Sequence, residues 1–119
     1  MNTIHRTGEF DRWLTALRDR KAQARILARI VSAQHGNFGD CKSVGEGVSE
    51  MRIDIGPGYR VYYTRQAETV YLLLAGGDKS TQAKDIKRAQ GMVRELKASG
   101  ARQEQEHGEA KESTQDCTV

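Results

Sequence analysis

A chain of 119 residues and 13.3 kDa is sized for one domain. Its longest apolar run, VYLLLA (70–75), falls far short of the ~20 residues a membrane span needs, and MNTIHRTGEF at the amino terminus lacks the apolar stretch of a secretory signal. The expectation is a cytoplasmic protein with no membrane partner.

The net charge of +3 conceals a division along the chain. Residues 98–119 hold two basic and five acidic residues, whereas the first 97 hold 17 basic and 11 acidic, a net of +6. Residues 1–97 are therefore expected to form the domain. The segment from 98 to 119 has no aromatic and almost no aliphatic residue to offset the entropy of ordering, and is expected to be an acidic, disordered tail. A basic domain favours a polyanionic partner. Cys41 and Cys117 are too few and too far apart for a disulfide framework or a zinc site, and read as ordinary thiols of a reducing compartment.

In chain order, TIHR (3–6) is a short strand candidate. GEFDRWLTALRD (8–19) places Phe10, Trp13, Leu14 and Leu17 on one helical stripe. KAQARILARIVSAQ (21–34) repeats the pattern with Ala22, Ile26, Ile30 and Ala33, its other side carrying Arg25 and Arg29. The short break between them predicts a helical hairpin, closed by Gly36 as a carboxy-terminal cap. CKSVG (41–45) is a weak strand candidate. VSEMRIDI (48–55) alternates, with Met51, Ile53 and Ile55 opposite Glu50, Arg52 and Asp54. A GPG turn (56–58) leads to YRVYYTR (59–65), and ETVYLLLAGG (68–77) is the most apolar strand. STQAKDIKRAQGMVRELKAS (80–99) forms a last helix through Ile86, Ala89, Val93 and Leu96, with Gly91 weakening its second half.

These elements predict an α+β fold in which two N-terminal helices and a C-terminal helix pack on one face of a small, mostly antiparallel sheet. The other face is expected to be free, presenting Arg52, Arg60 and Tyr62, with Lys42 at the edge.

FDRWLTALRD, ARILARI, GNFGDCKSVGEGVSEMRIDIGPGYRVYY and LLLAGGDKSTQAKDI together resemble the RelE/ParE superfamily of type II toxins. Within it, the chain resembles the HigB-like, phage Gp49-like "addiction module killer" branch over roughly residues 3–97. GPGYRVYY and GGDKSTQ are the most specific pieces. The resemblance implies a toxin held inactive by a helix-turn-helix antitoxin, through which it would contact operator DNA. It implies a ribosome-dependent mRNA endoribonuclease; ParE relatives instead share the fold and poison DNA gyrase without chemistry of their own, and an inactive relative would only bind antitoxin. Carried over, the working residues become Arg52, Arg60 and Lys79. The tyrosine expected at the start of the last helix is missing, Lys84, Asp85 and Ile86 standing there, so the proton-transfer role stays unassigned.

The chemistry agrees with those residue types. Attack by a 2′-hydroxyl adds negative charge to the phosphate oxygens, which preorganised cations stabilise. An arginine fork meets two such oxygens at once. Tyr62 could stack on a base, Lys42 could contact the backbone, and Arg25 with Arg29 form a second positive stripe. GGDKST is not a nucleotide-binding P-loop, because Asp78 stands where that motif needs glycine. His5, His35 and His107 are scattered, and no Asp/Glu/His cluster suggests a metal, so a metal-independent enzyme without cofactor is expected. The antitoxin is expected over the open sheet face or the helix hairpin.

Overall fold

The computed structural model describes residues 1–101. The expected tail, Cys117 and His107 lie almost wholly or entirely outside them. Among the described residues there are five strands, β1 (Thr3–Arg6), β2 (Cys41–Gly45), β3 (Val48–Ile53), β4 (Tyr59–Ala67) and β5 (Val70–Asp78). There are three α-helices, α1 (Gly8–Ala16), α2 (Arg20–Gln34) and α3 (Gln82–Leu96). One 3₁₀ turn, Lys79–Thr81, leads into α3, and a π-helical turn, Lys97–Ala101, follows it.

The strands form one mixed sheet in the order β1-β5-β4-β3-β2. β1 runs parallel to β5 and the other neighbours are antiparallel. Local chemistry fixes the helix starts. Thr7 accepts from the Phe10 amide to begin α1, and Asp19 accepts from the Lys21 and Ala22 amides to begin α2. Gly36, at φ +94°, ends the hairpin as expected.

The core has two halves. Phe10, Leu14, Ala22, Ile26, Ile30 and Ala33 of the helical hairpin pack on Met51, Ile53, Val61, Tyr63 and Leu73. On the opposite face, Ala89 and Val93 of α3 pack on Val48, Tyr62, Leu74 and Ala75. This corrects the expected arrangement: α3 does not share a face with α1 and α2, and the second face is not free. The physical reason lies in the strands. Val48, Leu72, Leu74 and the ring of Tyr62 make that face apolar over most of its length, and α3 has nowhere else to bury its own stripe. Cys41 is also not the expected free thiol, being disulfide-bonded.

Two glycines of β5 mark where the layers close on the sheet. A Cβ on Gly76 would overlap the Trp13 ring, and one on Gly77 would overlap the Asp85 carboxylate. They permit close approach within a strand rather than bending the chain there. Gly91 does nothing of the kind: an added Cβ meets nothing within 4 Å. α3 continues through it to a buried Val93. Gly91→Ala should therefore stabilise the protein by ~0.5–1 kcal/mol, read as a higher urea midpoint; a lower midpoint would contradict it.

Candidate functional site

The polar residues of the sheet converge at one end, where β3 finishes, β4 starts and β5 hands over to α3. Arg52 and Arg60 are direct partners in the β3–β4 register, and Gly77 stands opposite Arg60 on β5. The next row is Lys42, Glu50, Tyr62 and Ala75. Like charges directly opposite one another repel, and each arginine relieves this by turning to its own carboxylate.

Arg52 pairs with Asp40 at 2.9 Å, both side chains substantially exposed. Such a pair contributes ~0–1 kcal/mol, so a phosphate could displace Asp40 at small cost. Arg60 is more enclosed, its side chain 11 % exposed. Its Nε faces the Glu50 carboxylate at 3.7 Å, an ion pair too long to be a hydrogen bond. Its Nη1 leans on the Gly58 and Tyr59 carbonyls at 3.5 and 3.4 Å. Gly58, at φ +83°, makes this possible: a Cβ there would sit 3.6 Å from both Arg60 Nη1 and Lys79 Cβ. The GPG turn thus brings Arg60 and the exposed Lys79 together.

Glu50 is the residue that strand alternation undervalues. It is fully buried. Its Oε2 accepts from the Tyr62 hydroxyl at 3.3 Å and from Gln82 Nε2 at 2.6 Å, while Oε1 has no hydrogen-bond partner among the described residues. Gln82 opens α3, so this carboxylate ties the helix to the sheet as well as facing Arg60. Its position two residues from Arg52, on the same face, was the available signal; the missing knowledge was that α3 covers it.

Tyr62 is corrected from a surface residue to a buried one, with no exposed ring for a base. Burial, reinforced by the charge of Glu50, pushes its hydroxyl well above the ordinary tyrosine range, so it remains a donor. A raised folded-state value means the stabilisation is complete below the unfolded value of ~10 and declines as pH rises past it. The urea midpoint should therefore fall above about pH 10, and Tyr62→Phe should flatten that fall. An identical fall in the variant would contradict the assignment.

Lys42 is exposed on edge strand β2, in the row beside the arginines, as expected. Arg25 and Arg29 are not part of this site, because α2 packs on the other face. Arg29 is structural. Its guanidinium donates to the carbonyls of Arg52 (2.6 Å), Phe38 (3.0 Å) and Asp40 (3.3 Å), locking the 38–40 loop to the end of β3. Burial lowers its pKa from the usual arginine value. Arg25 is exposed on α2. The helix start after β5 is already occupied: Asp78 accepts from the Ser80 amide at 2.9 Å and the Ser80 hydroxyl at 2.6 Å, bonds that hold its carboxyl below the usual range. Lys79 is the exposed cation at this helix start.

This end of the sheet thus sets Arg52, Arg60 and Lys79 together around a glycine turn, backed by a buried carboxylate. Residues 12–97 match the phage-derived protein Gp49-like family (DUF891). The chain belongs to this family. It is also 54 % identical over 93 residues to an uncharacterized protein of Haemophilus influenzae, covering 78 % of this chain and 94 % of that one. No solved structure matches this Gp49-like chain. Among the described residues, no helix is long and apolar enough to cross a membrane.

Proposed function

We propose that this Gp49-like protein is the toxin of a type II toxin–antitoxin module, and that it cuts mRNA on the ribosome. Family membership supports the module. The observation that carries the nuclease reading is the direct cross-strand pairing of Arg52 with Arg60, with Lys79 beside Arg60 at the GPG turn. In this reading Arg52 leaves Asp40 to take a non-bridging oxygen of the scissile phosphate. Arg60, held by Glu50 and the turn carbonyls, stabilises the charge that grows there, and Lys79 neutralises the leaving group. Attack by the neighbouring 2′-hydroxyl, its proton passing to solvent, forms the O2′–P bond and breaks P–O5′. The ends are a 2′,3′-cyclic phosphate, which water can open to a 3′-phosphate, and a 5′-hydroxyl that takes a proton from solvent, with no metal or cofactor taking part. The ribosome supplies mRNA positioning. The partners are the helix-turn-helix antitoxin, the ribosome with its mRNA, and operator DNA through the antitoxin.

A second reading has its own observation. Both arginines face carboxylates, Arg60 is largely enclosed, and Tyr62 is packed beneath α3. A gyrase-binding toxin, or an inactive relative that only binds antitoxin, needs no open catalytic face. Expression without antitoxin separates the three. The nuclease reading expects growth arrest with new 5′ ends within translated mRNA. Arrest with gyrase-dependent DNA breaks and intact mRNA would establish the gyrase reading, and unimpaired growth the inactive one.

A further inference from the structure

Cys41 stands at the edge of the arginine row, and it is disulfide-bonded. The chain holds one other cysteine, Cys117, so a bond within the chain can join only these two. Cys41 opens the edge strand β2 and pairs with Met51 in the register, one position from Arg52. Its chain neighbours are both charged groups of the site. Asp40 pairs with Arg52 at 2.9 Å, and Lys42 is exposed. An edge strand is open to approach from outside the sheet, and Cys41 there is only half-buried.

The segment that carries Cys117 has the opposite charge to this end of the molecule. Residues 102–119 hold five acidic residues against Arg102 and Lys111, and Asp116 immediately precedes Cys117. A disulfide brings its two Cα atoms to within about 4.4–6.8 Å. Joined to Cys41, Cys117 therefore sets Asp116 within a side chain's reach of Lys42 and Arg52. The length of chain allows it. α3 runs from Gln82, which bonds Glu50 beside the arginines, to the last turn, where Arg94 pairs with Glu46 at the β2–β3 turn. The return along β2 is thus about the 22 Å of a 15-residue helix. Residues 102–116 can span up to ~50 Å when extended.

We propose that a Cys41–Cys117 disulfide clamps the acidic segment along β2 with Asp116 on Lys42 and Arg52, so that oxidation shields the basic end from polyanions and reduction uncovers it. Asp40 offers little resistance, since its exposed pair with Arg52 contributes ~0–1 kcal/mol. The device goes beyond the toxin reading and does not depend on it: the family match ends at residue 97, short of the acidic segment and of Cys117.

The oxidant is a small-molecule disulfide of the glutathione type. The Cys117 thiolate attacks one of its sulfurs, forming a mixed disulfide and releasing one small thiolate. The Cys41 thiolate then attacks the Cys117 sulfur, closing the protein disulfide and releasing the second. Two protein thiols are oxidised, the small disulfide is reduced to two thiols, and the protein's two protons end on them.

The test uses the full chain, fully reduced or oxidised with glutathione disulfide, and a fluorescent heparin oligosaccharide as a polyanion without bases. Composition is the same in the two states, so a difference in affinity reports shielding. The oxidised protein should be monomeric, yield a peptide joining residues 41 and 117, and bind heparin at least ~fivefold more weakly than the reduced protein, the gap closing as salt rises. Cys117→Ser, its fold verified by circular dichroism, should bind like the reduced wild type under both treatments. Glu112→Gln/Asp116→Asn keeps both cysteines and should shrink the ratio between the two states, which a disulfide acting only as a staple would leave unchanged. Equal affinity in the two states, a ratio indifferent to the neutral substitutions, or a bond that forms only between two copies would each overturn the proposal. If the wild type causes no growth arrest, the toxin reading fails, while the heparin comparison still decides this one.

Discussion

Replacing Glu50 with alanine should destabilise the protein by ~3–5 kcal/mol, the cost of leaving a buried charge without its counter-charge. That is a large part of the ~5–15 kcal/mol that holds a domain of this kind together. Three groups lose their partner at once: the Arg60 guanidinium, the Tyr62 hydroxyl and the Gln82 amide. Because Gln82 begins α3, the loss should also loosen the helix from the sheet, visible as faster hydrogen exchange over residues 82–96. Urea unfolding of Glu50→Ala, Arg60→Ala and the double variant forms a cycle. The double variant should cost clearly less than the sum of the single ones. Strict additivity, or a cost below 1 kcal/mol for Glu50→Ala, would show that the carboxylate does not hold Arg60.

The second large effect concerns activity. Arg60→Lys keeps a positive charge near Glu50 but removes the planar fork, and the two are not interchangeable at a phosphate-binding site. It should leave the fold standing while mRNA cleavage falls ~10²–10³-fold, the usual loss on removing one group aimed at transition-state charge. Rate and thermal midpoint measured on one preparation separate the two effects. A cleavage rate within threefold of wild type would mean that Arg60 is a structural cation held for the sake of Glu50.

These two residues also mark where sequence reasoning ended. Alternation in VSEMRIDI and YRVYY placed Arg52 and Arg60 on one face, and the register confirmed them as cross-strand partners. Helical periodicity gave all three helices, because Phe10, Ile26 and Ala89 each belong to a regular stripe buried against the sheet. Periodicity does not say on which face a helix lands. The charged residues at 50, 52 and 60 made the second face look solvent-facing, and only the count of apolar stripes needing cover argued otherwise. Buried polarity was illegible for the same reason: Glu50 and Tyr62 satisfy one another beneath α3, a relation between three elements far apart in sequence. Arg29 was misplaced because its partners are backbone carbonyls, which no side-chain pattern announces. The position of Lys79 near Arg60 follows from local sequence, since the glycine turn and the end of β5 fix its neighbourhood.

The central claim is that the Arg52–Arg60 row grips an RNA phosphodiester, and Arg52 offers the cleanest access to it. It is partly exposed and its pairing with Asp40 contributes little to stability. The deciding measurement is primer extension on a defined mRNA held in purified ribosomes, with wild-type protein and Arg52→Ala matched for thermal midpoint. The account predicts a discrete cut by the wild type and at least tenfold slower cutting by the variant. Uncut mRNA with the wild type, or equal rates for the two proteins, would contradict it.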